Sequence, residues 1–204
     1  FYRVENGNVI FEFPANPLVV PQFCLRFNDV PNVGVTGKHY TCFVMVGQHS
    51  LYDGKQGYWK ERCIELDYKL LTQVFRIKPE EVVFVEDLWL GTGAFGYSLE
   101  YFVRGLELGN AVFTEFLITP SGVETMPRKV VDMGAGLERF PWISFGTPTS
   151  YDVVFKPVLK KLRERIGLSY DEGLFLKYSK YAGTLNVDEV KDVQKAKQSI
   201  AKVL

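Results

Sequence analysis

Short apolar stretches over 9–13 and 19–27 read as strands, the second fed at its start by Pro14, Pro17 and Pro21. Residues 40–46 form the strand that returns beside it. Between 58 and 75 the period changes, because Trp59, Cys63, Leu66, Leu70 and Val74 step by three or four residues. That spacing predicts an amphipathic helix ending before Pro79, with its apolar stripe in the core. Further strands are expected over 81–85, 99–103, 111–118 and 130–131, with Ser121-Gly122 turning the chain between the last two. Strands in succession with hairpin connections predict an α+β fold, a largely antiparallel sheet flanked by helices. After Gly146 the character shifts. Residues 147–150 read as a connector, and Val154, Val158, Leu162 and Ile166 then recur every fourth residue on a helix whose other face carries Lys160, Lys161, Arg163 and Arg165. A last helix over 187–204 aligns Val190, Val193, Ala196, Ile200 and Val203. The expected organisation is a core over 1–146 and a helical segment over 147–204.

Composition narrows the class without naming it. With 204 residues, 47% of them hydrophobic and 15% aromatic, the chain can bury a sizeable core. Its formal net charge is zero, which argues against holding nucleic acid by bulk electrostatics, so any RNA contact has to be local. Cys24, Cys42 and Cys63 show no metal-ligand spacing, which predicts buried thiols in a reducing, cytoplasmic setting, with neither a disulfide framework nor zinc. No apolar run approaches the ~20 residues of a membrane span, so no membrane association is expected. The chain starts Phe-Tyr-Arg, and is read as a piece of something longer.

The richest chemistry lies in Asp132-Met133-Gly134-Ala135-Gly136-Leu137-Glu138-Arg139. Two glycines spaced by one residue, read as a strand-to-helix junction, admit close approach of a ligand to the backbone. Arg139, one turn into the expected helix, would point a guanidinium at that ligand. Alone, such a pair is more often plain packing. Upstream, however, Cys24-Leu25-Arg26-Phe27-Asn28-Asp29 is followed by Asn32-Val33-Gly34 and by His39-Tyr40-Thr41-Cys42-Phe43.

An arginine and an acid three apart, a loop, then a histidine four residues before a phenylalanine resembles motif 2 of the class II aminoacyl-tRNA synthetases. The GAGLER run resembles their motif 3. More narrowly, NVGVTGKHYTCF, ELGNAVFTEF and VVDMGAGLER are similar to the alanyl-tRNA synthetases, and YFVRGLELGN with PTSYD resembles the archaeal branch. The likeness runs from Pro14 to Asp152.

The resemblance implies a class II sheet, ATP with Mg²⁺, alanine and tRNA(Ala) as partners, and activation of alanine followed by transfer. Arg26 would stabilise charge at the α-phosphate, while a surface pair with Asp29 is its plainer reading. Asp29 and Gly136 also fall in the implied ATP site. Phe43 and Arg139 would take the two faces of adenine, and His39 could reach the terminal phosphates. Asp132 would pair with the alanine ammonium, although a helix-capping role is open to it. Asn110 would orient the substrate, Trp89 and Val112 would wall the pocket, and Gly134 would line it.

Several positions depart from the family pattern. Val44 stands where many relatives have glutamate after the motif 2 phenylalanine, Glu115 stands where bacterial ones have glutamine, and Lys38 is at best a substitute for a motif 2 lysine. Glu115 is a candidate for holding Mg²⁺ on ATP. Motif 1, which precedes motif 2 in the family and makes its dimer interface, has no counterpart. The remainder of the synthetase chain or a complementary subunit is therefore an expected partner, and a homodimer stays open. The basic helix face is a solvated surface or a track for the tRNA acceptor stem. Two other readings remain: a catalytically incomplete module that binds adenylate or tRNA, and an ATP-dependent ligase that adenylates another small carboxylate.

Overall fold

The computed structural model describes residues 2–11, 15–91, 93–183, 185 and 191–204. The described residues form eight strands and six α-helices. The strands are β1 (Tyr2–Glu5), β2 (Asn8–Phe11), β3 (Leu18–Leu25), β4 (Cys42–Tyr52), β5 (Val82–Leu90), β6 (Ala94–Val103), β7 (Leu106–Thr119) and β8 (Gly122–Gly136). The helices are α1 (Lys60–Lys69), α2 (Arg139–Phe145), α3 (Tyr151–Val154), α4 (Lys156–Ile166), α5 (Glu172–Ala182) and α6 (Val193–Ala201). β1 and β2 form a separate hairpin, turned at Asn6 and Gly7, both with positive φ. The other six strands make one sheet in the order β3-β4-β8-β7-β6-β5, antiparallel at each pairing from β4 to β5. Among the described residues no helix is long and apolar enough to cross a membrane.

The chain groups into two compact units, 1–22 with 45–136 and 23–44 with 137–204, so the expected division after 146 falls inside the second. The first unit holds most of the sheet and α1. Alternation along β8 buries Val131, Met133 and Ala135, which meet Phe113, Ala111 and Gly109 across β7. α1 lies on this face, with Trp59 edge-on to Phe113 at 5.7 Å and the Gln48 amide donating to Cys63 Sγ at 3.7 Å.

The expected stripe of α1 is shifted by one position. Cys63, Asp67 and Leu71 are the fully buried line, while Val74 is 66% exposed. The helix widens into one π-helical turn over Leu70–Val74, and the extra residue per turn rotates Val74 away from the core. β8 also overruns the short strand expected at 130–131. Gly134 and Gly136 are strand residues, and α2 starts at Arg139, so neither glycine is at a helix N-terminus.

In the second unit, 23–44 is held by the segment around α3. Ser150 Oγ donates to the Gly37 carbonyl at 2.6 Å and accepts from Tyr40 Oη at 2.8 Å. Tyr151 Oη donates to the His39 carbonyl at 2.5 Å and accepts the Gly34 amide at 3.0 Å. Gly37 has a positive φ of 76°, and a Cβ there would press on Thr149 Cγ2 at 3.0 Å, so glycine fits this crossing. Asp152 accepts from Thr149 and from Arg163, the latter at 2.8 Å, which ties α3 to α4. The apolar positions of α4 are not core: Val158 and Leu162 are exposed, and Ile166 is 68% so. The last helix spans Val193–Ala201, and the expected start of that helix at 187–190 lies outside the described residues.

Two consequences are measurable. Asp67 is buried with Oδ1 unpartnered among the described residues, and desolvation pushes its carboxyl up to about 7 against a hydrogen bond from Cys63. A folded-state pKa above the unfolded value means that the fold binds a proton the unfolded chain releases. Stability is therefore intact below the ordinary aspartate range and declines as pH rises through about 7. Denaturant titrations should show unfolding free energy falling by about 1–3 kcal/mol between mildly acid and mildly alkaline pH, with Asp67→Asn flattening the profile. A wild-type profile that is already flat contradicts this. Tyr151→Phe keeps the ring contacts to Tyr40 and Phe155 but deletes both loop hydrogen bonds. It should cost about 1–3 kcal/mol and speed hydrogen exchange at the Gly34 amide, whereas unchanged exchange would show that the loop is held elsewhere.

Candidate functional site

The expected site residues divide between the two units. Arg26, Asp29, His39, Phe43 and Arg139 belong to the second, and Trp89, Asn110, Val112, Asp132, Gly134 and Gly136 to the first.

In the second unit, Arg26 sits just beyond β3, and its amide donates to the Thr41 carbonyl at 2.9 Å. Its guanidinium carbon lies 5.7 Å from the centroid of the Phe43 ring, so cation and aromatic are already stacked. Asp29 stands at the N-cap position of a short 3₁₀ turn over Val30–Asn32, where its backbone carbonyl accepts the Asn32 amide at 2.9 Å and its side chain makes no capping hydrogen bond. His39 Nδ1 is 2.5 Å from Thr36 Oγ1. Burial lowers the His39 pKa most, Asp29 opposes that, and Lys38, Arg139 and Arg26 lower it further. The imidazole is thus neutral near pH 7, surrounded by three cations and one carboxylate. Arg139 opens α2, and its neighbour Glu138 accepts the Val44 amide at 2.8 Å through Oε1. Glu138 was not singled out from the sequence, although it lies inside the GAGLER run. It joins the start of α2 to β4 where Val44 has no side-chain acid of its own.

In the first unit, strand register collects four residues on one face. Val112 stands opposite Asp132, and Asn110 opposite Gly134, on adjacent β7 and β8. Asn110 Oδ1 is buried and has no hydrogen-bond partner among the described residues, a costly state that a ligand donor would relieve. On the far side of β8, His49 of β4 pairs in register with Asp132, and His49 Nδ1 is 3.0 Å from Asp132 Oδ1. A cavity of about 570 Å³ opens here, bordered by His49, Asp132, Asn16, Gln22 and the apolar Val20 and Val130. Asn16 shapes its wall by exchanging two 2.9 Å hydrogen bonds with the Leu51 backbone. His49 was absent from the candidates, and the returning strand expected over 40–46 stops short of it, whereas β4 runs on to Tyr52. Asp132 caps no helix, being four residues inside the strand end.

Two candidates are not brought to this face in the expected way. Trp89 lies on β5 opposite Gly96, with its ring folded over Gly91 rather than toward Val112. Glu115 is buried on the other face at a β7 bulge, and its two oxygens accept from Lys60 at 2.9 Å and Lys129 at 2.7 Å. Those lysines lie against Phe113 and Trp59, on the α1 side of the sheet. Desolvation alone would raise the Glu115 pKa, but the two lysines outweigh it and the net shift is downward. A carboxylate neutralised by two ammonium groups offers poor ligation to Mg²⁺, so its role in this structure is a buried ion-pair triad.

Residues 6–204 match the family model of tRNA synthetases class II (A). The chain is 60% identical over 178 residues to the alanine–tRNA ligase of Nitrosopumilus maritimus, covering 87% of this chain and 20% of that protein. It is 54% identical to that of Cenarchaeum symbiosum, over 98% of this chain and 22% of the relative. For Methanocella arvoryzae the identity is 49%, over 98% and 23%. The chain thus spans about a fifth of the length of these relatives. A solved pyrrolysyl-tRNA synthetase from Desulfitobacterium hafniense overlaps 69% of this chain and 46% of its own at 15% identity, with a TM-score of 0.42. With the family model matched over nearly its whole length, the chain belongs to the class II tRNA synthetases.

Proposed function

We propose that this chain is the aminoacylation core of an alanine–tRNA ligase, which activates alanine with ATP and passes it to tRNA(Ala) in the cytoplasm. The observation that carries the reading is the diagonal placement, on one sheet face, of Asp132 and of Asn110, whose Oδ1 has no partner among the described residues. An ammonium group has three donors and no acceptor, so a carboxylate and an amide oxygen on neighbouring strands suit it. Val112, directly opposite Asp132, would bound the methyl side, while the Met45 thioether fills the space beside Gly134, 2.7 Å from where a Cβ would stand. Trp89 would have to swing from Gly91 to close that pocket.

Activation requires an oxygen of the alanine carboxylate to attack the α-phosphorus of ATP while the bond to pyrophosphate breaks. Arg26, stacked on Phe43, supplies a fixed cation between the two anions, and Phe43 offers its remaining face to adenine. Arg139 supplies a second cation at the nucleotide, and Gly136 a backbone without a side chain. His39, kept neutral, would meet phosphate oxygens through a hydrogen bond rather than as a further charge. Asp29 would serve indirectly, through a carboxylate charge that opposes the lowering of the His39 pKa. Mg²⁺ would arrive with the ATP phosphates, and among the described residues no cluster of three or more His, Cys, Asp or Glu side chains could hold it alone. In the second step a terminal ribose hydroxyl of the tRNA displaces AMP from the aminoacyl carbonyl.

The segment 147–204 would start the tRNA-recognition region. Of its basic residues, Arg163 is engaged with Asp152 and lies 4.9 Å from the Tyr170 ring, so Lys160, Lys161 and Arg165 are the candidates for phosphate contact.

Two substitutions in the full-length protein test the reading. Arg139→Ala should weaken ATP binding by about 1–3 kcal/mol in calorimetry, and equal affinity would remove Arg139 from the nucleotide site. Asp132→Asn preserves shape and removes charge, so alanine-dependent ATP–pyrophosphate exchange should fall by about 3–5 kcal/mol in kcat/KM while ATP affinity changes little. Exchange that another small carboxylate supports and alanine does not would identify a different ligase. Nucleotide binding with no exchange would identify a binding module.

A further inference from the structure

We infer that His49 is the positioning residue for Asp132: it grips one carboxylate oxygen and thereby fixes which oxygen is presented to the substrate ammonium. The inference rests on the reading of Asp132 as the ammonium partner.

Three observations carry it. His49 and Asp132 are register partners on β4 and β8, and His49 Nδ1 lies 3.0 Å from Asp132 Oδ1. The Asp132 side chain is 57% exposed and that of His49 only 19%, so the histidine is the anchored member and the carboxylate the one that needs holding. Finally, the ring lies over Gly47, where a Cβ would collide with His49 Nε2 and stand 2.9 Å from Cε1. Gly47 has no positive φ, so what calls for glycine here is the ring's space rather than the backbone.

A carboxylate oxygen only accepts, so Nδ1 carries the proton in this pair. With Oδ1 occupied, Oδ2 is left for the ammonium. A carboxylate free to rotate would lose that preorganisation on each binding event. Substrate binding, rather than the chemical step, should register the loss.

The test is steady-state alanine-dependent pyrophosphate exchange by the full-length enzyme. His49→Ala should raise the alanine KM roughly tenfold, with kcat and the ATP KM within about twofold of wild type. His49→Asn, whose amide NH₂ can donate from near the place of Nδ1, should recover most of the loss. Gly47→Ala displaces the ring and should match His49→Ala, and the double variant should be no worse than either single one. The inference is overturned if His49→Ala keeps a wild-type alanine KM, or if its defect falls equally on the ATP KM and Asn does not rescue it. Asp132→Asn separates the two levels. A raised alanine KM there beside a silent His49→Ala removes only the positioning role, whereas a silent Asp132→Asn removes the ammonium assignment and the positioning role with it.

Discussion

The two-residue alternation of β8, paired on both sides, is the constraint on which the sheet depends. Its Val131, Met133 and Ala135 are locked into the core by β7 and α1, so Asp132 and Gly134 are compelled to the opposite face. A slip of one residue would bury a carboxylate and expose three apolar side chains. Pairing with β4 over Met45↔Gly136 to Tyr52↔Lys129 and with β7 over Gly109↔Ala135 to Thr114↔Val130 fixes that register twice. His49, Asn110 and Val112 then take their places by geometry, each one strand from the Asp132–Gly134 row.

The residues proposed for the nucleotide are held by different means. Arg26, His39 and Phe43 sit at the ends of a stretch with little regular structure of its own. Its shape comes from side chains distant in sequence, with Ser150 and Tyr151 bonding the backbone at Gly34, Gly37 and His39. The environment of His39 is set likewise: burial and three nearby cations lower its pKa against the opposing Asp29, which separates its role from that of Arg26.

Apart from β1, the presence of the strands and their largely antiparallel pairing were legible in the sequence because alternation and turn residues are local signals. Ser121-Gly122 marked the β7–β8 turn correctly, and the pairing of Val112 with Asp132 follows once those strands are joined. Four features were not legible. The π-helical turn after α1 carries Val74 out of the core by a backbone adjustment that leaves no trace in residue spacing. The extent of β8 was hidden because Gly134 and Gly136 resemble a helix entry, yet cross-strand partners keep them extended. Glu115 looked like a free acid at a family position, and only the fold brings Lys60 and Lys129 to it. His49 needs a partner 83 positions away in the chain (132 − 49), which no spacing rule within one strand can supply.

The interleaving of the two units bears on how such a chain can be cut and recombined. Because 23–44 groups with 137–204, a break placed at the change in sequence character after Gly146 would carry off Ser150 and Tyr151 and leave Gly34, Gly37 and His39 without their fasteners. The helical tail is in this sense part of the nucleotide loop's scaffold. Exchange between relatives would preserve that loop only if both segments were inherited together, so the piece that can be shuffled here is discontinuous in the gene.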